Sequence, residues 1–464
     1  MHSLDKINEY VESVCQQIRW KKAHFRISDE LKSHITDGRD NYINQGIDEL
    51  EATEKAITDT GDSTIVGTEF DRVHRPKPQW EMFAWVAGFI MFGLFISMFV
   101  FSEFGMTNRL FWTVIGAVIM LGAYFTDFTL VGKYPRLVFV GIVLSVIIMS
   151  PMIAPNPFGV SIWINGVRDR SFMGLIFSHH HLQSFVLLLP IAFVPIIYMM
   201  KDKGYKGIIL SQLAYGFLLL LSAVTTIAFS GFIHFALIGM GLLLIAILRG
   251  WFGTQKVRSV LLAIAPFVVV FVLLLLQARA GRGSARLVAL FNPHADPYGF
   301  GFTTIQIRQL LNGAVLWGEG YMPEFLSRQL MYSDFILSTV IFRFGWIAFA
   351  AVMSAIIFFA IKIILRCVKQ KSDLGFFVSL AVALTLLAQI FMYVIFNLGF
   401  LFTHISLPLI SPGNFAMLIN MGLIGLMLSV FRTGDVVVDK EVISENKKSK
   451  LATWDDGKLT INFR

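Results

Sequence analysis

The chain has 464 residues, of which 55% are hydrophobic and only 15% charged, and its mean hydropathy is +0.67. A soluble domain carries about 25% charged residues, so a water-covered globule is excluded and most of the chain must face lipid. The net charge of +8 is not a nucleic-acid signature either: residues 1–79 hold 15 acidic and 11 basic side chains and the remainder 16 and 28, with the excess bases in short loops between apolar runs.

The first segment is polar and reads as helical, with no secretory leader. Leu4, Ile7, Tyr10, Val11, Val14 and Ile18 recur at helical spacing. Ser28 is placed to cap a second helix through Gln45, and Gly46 to end it. A third helix is expected from Asp48 to Thr60, closed by Gly61. Gly67 to Trp80, with Pro76 and Pro78, reads as an extended linker. Residues 1–79 are therefore expected to form a small cytosolic helical domain plus linker, with a modest core and no catalytic constellation.

Ten apolar spans follow, each near the ~20 residues that cross a bilayer. They lie at 80–101, 109–127, 135–154, 174–200, 206–226, 229–249, 257–278, 335–366, 375–399 and 408–431. The fourth and eighth are long enough to tilt or to extend beyond the bilayer. The fold expected is all-α: a polytopic membrane domain over 80–432, the helical segment before it and a cytosolic tail at 433–464. Lys133 and Arg136, Lys201, Lys203 and Lys206, Arg249, Lys256 and Arg258, and Arg366, Lys369 and Lys371 fall in loops on one side. That side takes both termini and is assigned as cytoplasmic. Cys15 and Cys367 also fall there, too few for a disulfide framework.

Two groups of arginines break the charge rule. Arg168 and Arg170 lie in the outer loop 155–173, and Arg279, Arg282, Arg286, Arg308 and Arg328 in the loop 279–334. The second loop is long for a connection between membrane helices. It also carries apolar residues suited to the interface, among them Ile305, Leu310, Leu311 and Trp317. Two readings stay open: a solvated loop with its own salt bridges, or a site for an anionic, lipid-linked ligand. Asp334, at the mouth of the eighth span, reads from position either as a helix N-cap or as a general base. His179, His180 and His181 point about 100° apart on a helix and cannot converge on one ion, so no metal site is assigned.

These features resemble a family. The run RLVALFNPHADPYGFGF at 286–302 continues through Gln306 to LNGAVLWGEG at 311–320 and ends in SDFIL at 333–337. It is similar to the large extracellular loop of the SEDS family, the FtsW, RodA and SpoVE proteins. The run LPLISPGNFAMLINMGLIGLMLSVFR at 407–432 resembles that family's LPFISYGGSS segment and last helix, and Gln389 fits its glutamine in the ninth span. SIWING at 161–166 is similar to its RRWI region. The first 79 residues resemble the helical prefix of some bacterial permease-like proteins.

The resemblance implies a peptidoglycan glycosyltransferase that polymerises lipid II at the outer face of a bacterial cytoplasmic membrane, working with a class B penicillin-binding protein. The family's essential aspartate falls on Asp334. Arg286, Arg282, Arg308, Arg168, Arg170, Gln306, Trp317, Gln389 and Ser411 become the candidate substrate-binding residues. Departures mark a divergent member. The glutamates that usually follow the signature aspartate are replaced in Ile341-Phe342-Arg343-Phe344-Gly345, and YGGSS reads Pro412-Gly413-Asn414-Phe415-Ala416. The metal requirement stays open, with a divalent cation such as Mg2+ or Mn2+ the candidate. A lipid-linked precursor flippase and a non-catalytic scaffold for a penicillin-binding protein are the alternatives to the enzyme.

Overall fold

A computed structural model describes residues 3–100, 103–149, 183–225, 229–253, 255–278, 288–289, 292–299, 301–321, 335–400, 406–411, 414–434, 452–455 and 458–461. The chain divides into two compact units, residues 1–78 with 432–438, and residues 79–431 with 439–464.

The first unit is built on four helices: α1 (Ser3–Gln16), α2 (His24–Asn44), α3 (Glu49–Thr60) and α4 (Ser63–His74). Ile7, Val11 and Val14 of α1 meet Ile27, Leu31 and Ile35 of α2 and Ala56 of α3 in one core. The spacing in α1 and α2 is that of a single buried helical face. Two expectations are corrected. Ser28 lies a turn inside α2, which begins at His24 after a short turn at Lys21–Ala23, with no side-chain cap. The stretch expected as a linker from Gly67 is helical to His74, because Asp62 caps α4 by accepting from the amides of Thr64 (2.8 Å) and Ile65 (3.3 Å). Those amides hold the Asp62 carboxyl below the usual carboxylate range. Gly67 lets α4 lie against α1, since a Cβ there would stand 2.6 Å from Cβ of Gln17.

The second unit is a bundle of apolar helices. In chain order these are α5 (Trp80–Val100), α6 (Glu103–Phe125), the short α7 (Thr129–Lys133), α8 (Pro135–Met149), α9 (Leu189–Met199), α10 (Gly204–Thr225), α11 (Phe229–Leu248) and α12 (Lys256–Ala278). Then come α13 (Phe302–Asn312), α14 (Ile336–Phe344), α15 (Trp346–Val368), α16 (Asp373–Asn397) and α17 (Asn414–Thr433). Each of the ten expected spans contains a helix. Five helices are long and apolar enough to cross a membrane, and four shorter apolar ones accompany them among the described residues. A small antiparallel hairpin, Ala452–Asp455 with Lys458–Ile461, lies in the tail.

Burial sorts centre from rim. Of the apolar windows, 67% of α17 and 50% of α16 are buried, against 17% of α15. The last two helices therefore form the centre, while α15 presents Ile357, Ile361 and Leu365 outward, as a lipid-facing helix does. The eighth span, expected as one helix over 335–366, is broken. Gly345, at φ +87° and ψ 172°, separates the buried α14 from the exposed α15.

At the end of the bundle assigned as cytoplasmic, Asp373 opens α16 and accepts from Lys201 Nζ (2.8 Å) and Arg249 Nη1 (3.1 Å). Lys201 also stands 4.9 Å from the centre of the Trp251 ring. Lys362 of α15 pairs with Glu81 of α5 at 2.8 Å. Lys201, Arg249 and Lys362 thus tie helix ends together.

Candidate active site

The opposite end of α16 meets the described part of the loop 279–334. Helix α13 buries Thr304, Ile307 and Leu310 and leaves Phe302 exposed, as an amphipathic segment lying on the bundle does. Gln306 and Arg308 are half-buried on it. Arg308 Nε donates to the carbonyl of Gly399 at 3.0 Å, just past the end of α16. The turn after α13 is stitched to the junction of α14 and α15 by main-chain bonds. Gly320 N–H donates to Phe342 O (2.8 Å), Trp346 N–H to Val315 O (3.1 Å) and Ile347 N–H to Leu316 O (3.1 Å). Arg343 Nη1 adds a 2.7 Å ion pair to Glu319. On this held turn Trp317 is 75% exposed, available to a ligand or to the interface.

Helix α14 begins two residues after Asp334 and is capped from across the bundle. Its cap position is Phe335, which has no side-chain cap bond. The Ile336 amide donates to Tyr393 Oη at 3.1 Å and the Ser338 amide to Asn397 Oδ1 at 3.1 Å. Ser338 Oγ donates to Asn397 O at 2.7 Å, and Asn397 Nδ2 donates to Tyr393 O at 3.0 Å. Tyr393, Asn397 and Ser338 are all fully buried. Residues of α16 thus accept from these two first-turn donors of α14. Asp334, Arg282, Arg286, Arg168 and Arg170, with His179, His180 and His181, lie outside the described residues.

The remaining candidates are deeper. Gln389 in α16 is fully buried and exchanges two hydrogen bonds with Asn420 of α17, at 3.0 and 3.1 Å. Ser411 is buried in the segment 407–411, and its amide donates to Leu407 O at 3.0 Å. The guanidinium of Arg109 in α6, itself buried, reaches this segment. Its Nη2 donates to Ile410 O at 2.5 Å and its Nη1 to Ser97 Oγ of α5. Beside Ile410 runs an apolar cleft lined among others by Phe89, Phe359, Leu386, Leu407 and Ile424.

The structure therefore brings Arg308 onto the end of α16 and buries Gln389 and Ser411 in the interior. Sequence reasoning missed Arg109, Tyr393, Asn397 and Asn420. Arg109 had a signal: it is an arginine flanked by apolar residues, whose cost in a membrane helix demands a partner. Tyr393 and Asn397 sit four apart at the C-terminal end of α16, a spacing that places both on one face. Among the described residues, no three His, Cys, Asp or Glu side chains gather to hold a metal ion.

Comparison with known proteins places this architecture. Residues 82–435 match the family model of the FtsW/RodA/SpoVE cell cycle proteins. A probable peptidoglycan glycosyltransferase FtsW of Trichlorobacter lovleyi is 26% identical over 345 residues, 70% of this chain and 82% of that protein. The Escherichia coli peptidoglycan glycosyltransferase MrdB is 24% identical over 156 residues, 31% of this chain and 40% of that one. Among solved structures, a chain of a peptidoglycan synthase complex that coordinates polymerization and crosslinking superposes with a TM-score of 0.57. That match is at 16% identity and covers 76% of this chain and 98% of the other. The protein belongs to the FtsW/RodA/SpoVE, or SEDS, family of polytopic membrane proteins.

Proposed function

We propose that the protein is a peptidoglycan glycosyltransferase that polymerises lipid II at the outer face of a bacterial cytoplasmic membrane. The observation that carries this reading is the family match across 82–435, which spans the outer loop and the SDFIL signature. The named function of the FtsW relative, most of whose length is covered, supports it.

The chemistry asks for few parts. The 4-hydroxyl of one sugar attacks the anomeric carbon of another, with inversion, and loses a proton to a carboxylate within hydrogen-bond reach. Asp334 takes that role. The bond that breaks runs to a polyprenyl pyrophosphate, whose developing charge is met by arginine forks. Arg286 and Arg282 supply them, with Arg308, Arg168 and Arg170 as further candidates. Gln306, Trp317, Gln389 and Ser411 complete the substrate-binding set proposed from the resemblance. Lysines and arginines at one end of the bundle put that end and both termini in the cytoplasm. Residues 1–79 then form a cytosolic domain, and 433–464 a cytosolic tail. A class B penicillin-binding protein is the partner, by analogy with the synthase complex whose chain shares this fold.

The test supplies purified protein with lipid II, with and without a candidate penicillin-binding protein and Mg2+ or Mn2+. Glycan ladders on a gel support the enzyme. Absence of polymer under every condition, with outward movement of lipid II across liposomes, transfers the assignment to a flippase. Absence of both, with stimulation of a partner synthase, leaves a scaffold.

A further inference from the structure

Charge is unevenly balanced at the end of the bundle where Lys201, Arg249 and Asp373 meet. The segments 201–206 and 249–258 there hold six basic side chains and one acidic, Asp202. Lys201 and Arg249 share the Asp373 carboxylate and also stand over the Trp251 and Phe376 rings. Lys362 and Arg366 of α15 have Glu81 as their partner. Lys203, Lys206, Lys256 and Arg258 differ. All four are exposed, and among the described residues no carboxylate pairs with any of them.

The starts of α10 and α12 bring these bases together. Tyr205 Oη donates to Gln255 Oε1 at 2.6 Å, Arg258 Nη1 to the same oxygen at 3.1 Å, and Asp202 N–H to Trp251 O at 2.8 Å. Further along, Gln212 Nε2 of α10 donates to Leu262 O and Ala263 O of α12, both at 2.9 Å. The bases thus stand on a built surface, with Trp251 and Phe252 buried in it. From this surface each helix turns an apolar stripe outward. On α10, Ile209, Leu213 and Leu220 follow Lys206 on one helical face and are 46, 65 and 67% exposed. On α12, Val257, Leu261 and Val268 form the matching exposed face. In a membrane bundle such stripes meet acyl chains, and the long basic side chains at their ends reach headgroup depth.

We infer that the joined ends of α10 and α12 form a binding surface for acidic phospholipids. Lys203, Lys206, Lys256 and Arg258 take the headgroup phosphate, and the two apolar stripes take the acyl chains. Charge complementarity selects this occupant. A zwitterionic lipid carries its own cation into a group of bases that lack carboxylate partners, whereas an acidic lipid brings net negative charge. The arginine fork suits phosphate oxygens, and lysine adds a point charge. Each Lys or Arg near a membrane surface strengthens the attraction to acidic lipid by about fivefold. None of the four bases belongs to the proposed substrate-binding set, so a lipid held here is separate from the sugar chemistry.

Native mass spectrometry of the full-length protein in detergent, titrated with phosphatidylglycerol or with phosphatidylcholine of the same acyl chains, measures the preference. Wild type is expected to bind phosphatidylglycerol more tightly, with the preference shrinking as salt rises. Lys206→Gln/Lys256→Gln is expected to weaken phosphatidylglycerol about 25-fold and to leave phosphatidylcholine unchanged. The comparison variant, Lys369→Gln/Lys371→Gln, removes two exposed bases from the loop before α16. It is expected to shift phosphatidylglycerol by less than about threefold. Thermal midpoints establish that the variants fold; if Lys206→Gln/Lys256→Gln does not, Arg258→Gln is read in its place, with an expected loss of about fivefold. Equal affinity of the wild type for both lipids overturns the inference. Equal losses in the two double variants also overturn it, because the attraction then follows net charge and not this surface.

Discussion

Replacing Gly345 by alanine tests how the outer turn is held over α14 and α15. Gly345 occupies φ +87° and ψ 172°, a region essentially reserved for glycine, where another residue costs about 1–3 kcal/mol. A Cβ at this position would stand 2.5 Å from the Leu316 carbonyl oxygen, 2.7 Å from its carbon and 2.8 Å from Trp317 Cα. All three are backbone atoms, so the turn itself must move. Movement breaks the bonds from Trp346 N–H to Val315 O and Ile347 N–H to Leu316 O, at about 1 kcal/mol each. Gly345→Ala is therefore expected to cost about 3–5 kcal/mol. Thermal unfolding in detergent measures the total, and hydrogen exchange locates it, with faster exchange at 346–347 and across 313–321. An unchanged midpoint together with unchanged exchange would refute the argument.

Two further substitutions probe the interior. Gln389→Leu breaks two interhelical hydrogen bonds, each worth about 0.6 kcal/mol in a membrane bundle, and strands the Asn420 amide. Unfolding free energies should fall by about 1–3 kcal/mol, and Gln389→Leu/Asn420→Leu should recover part of the loss; strict additivity in the double-mutant cycle would contradict the pairing. Arg109→Met removes a buried charge that has no carboxylate partner among the described residues, so global stability should change by less than about 2 kcal/mol. Exchange at 407–411 should nevertheless quicken, since the Ile410 carbonyl loses its guanidinium; an unaltered segment would show that Arg109 does not hold it.

The residues themselves explain which parts of the molecule were legible in sequence. Spans of apolar residues near the length of a bilayer crossing gave the helix order, because in lipid the backbone has no alternative to internal pairing. The break at Gly345 was hidden, since the glycine sits inside an otherwise continuous apolar run and only its backbone angles reveal it. Ser28 misled because a capping residue type also occurs within helices. The stretch from Gly67 misled because the cap that starts α4, Asp62, precedes it. At the candidate site, the loop motif and Asp334 stood out by composition and resemblance. Tyr393 and Asn397 did not, because their role depends on α16 lying against the start of α14, a pairing between residues nearly 60 positions apart. Arg109 coincided with the expected start of the second span and so read as a boundary, whereas α6 begins at Glu103 and carries it inside.

The central claim is that Asp334 supplies the base for glycan polymerisation. Its most direct test is the initial rate of lipid II polymerisation by folded Asp334→Ala and Asp334→Asn proteins against wild type. A positioned base contributes roughly 10²–10⁴-fold to a rate, so both variants should fall by that factor while still binding lipid II. Either variant polymerising within tenfold of wild type would contradict the account.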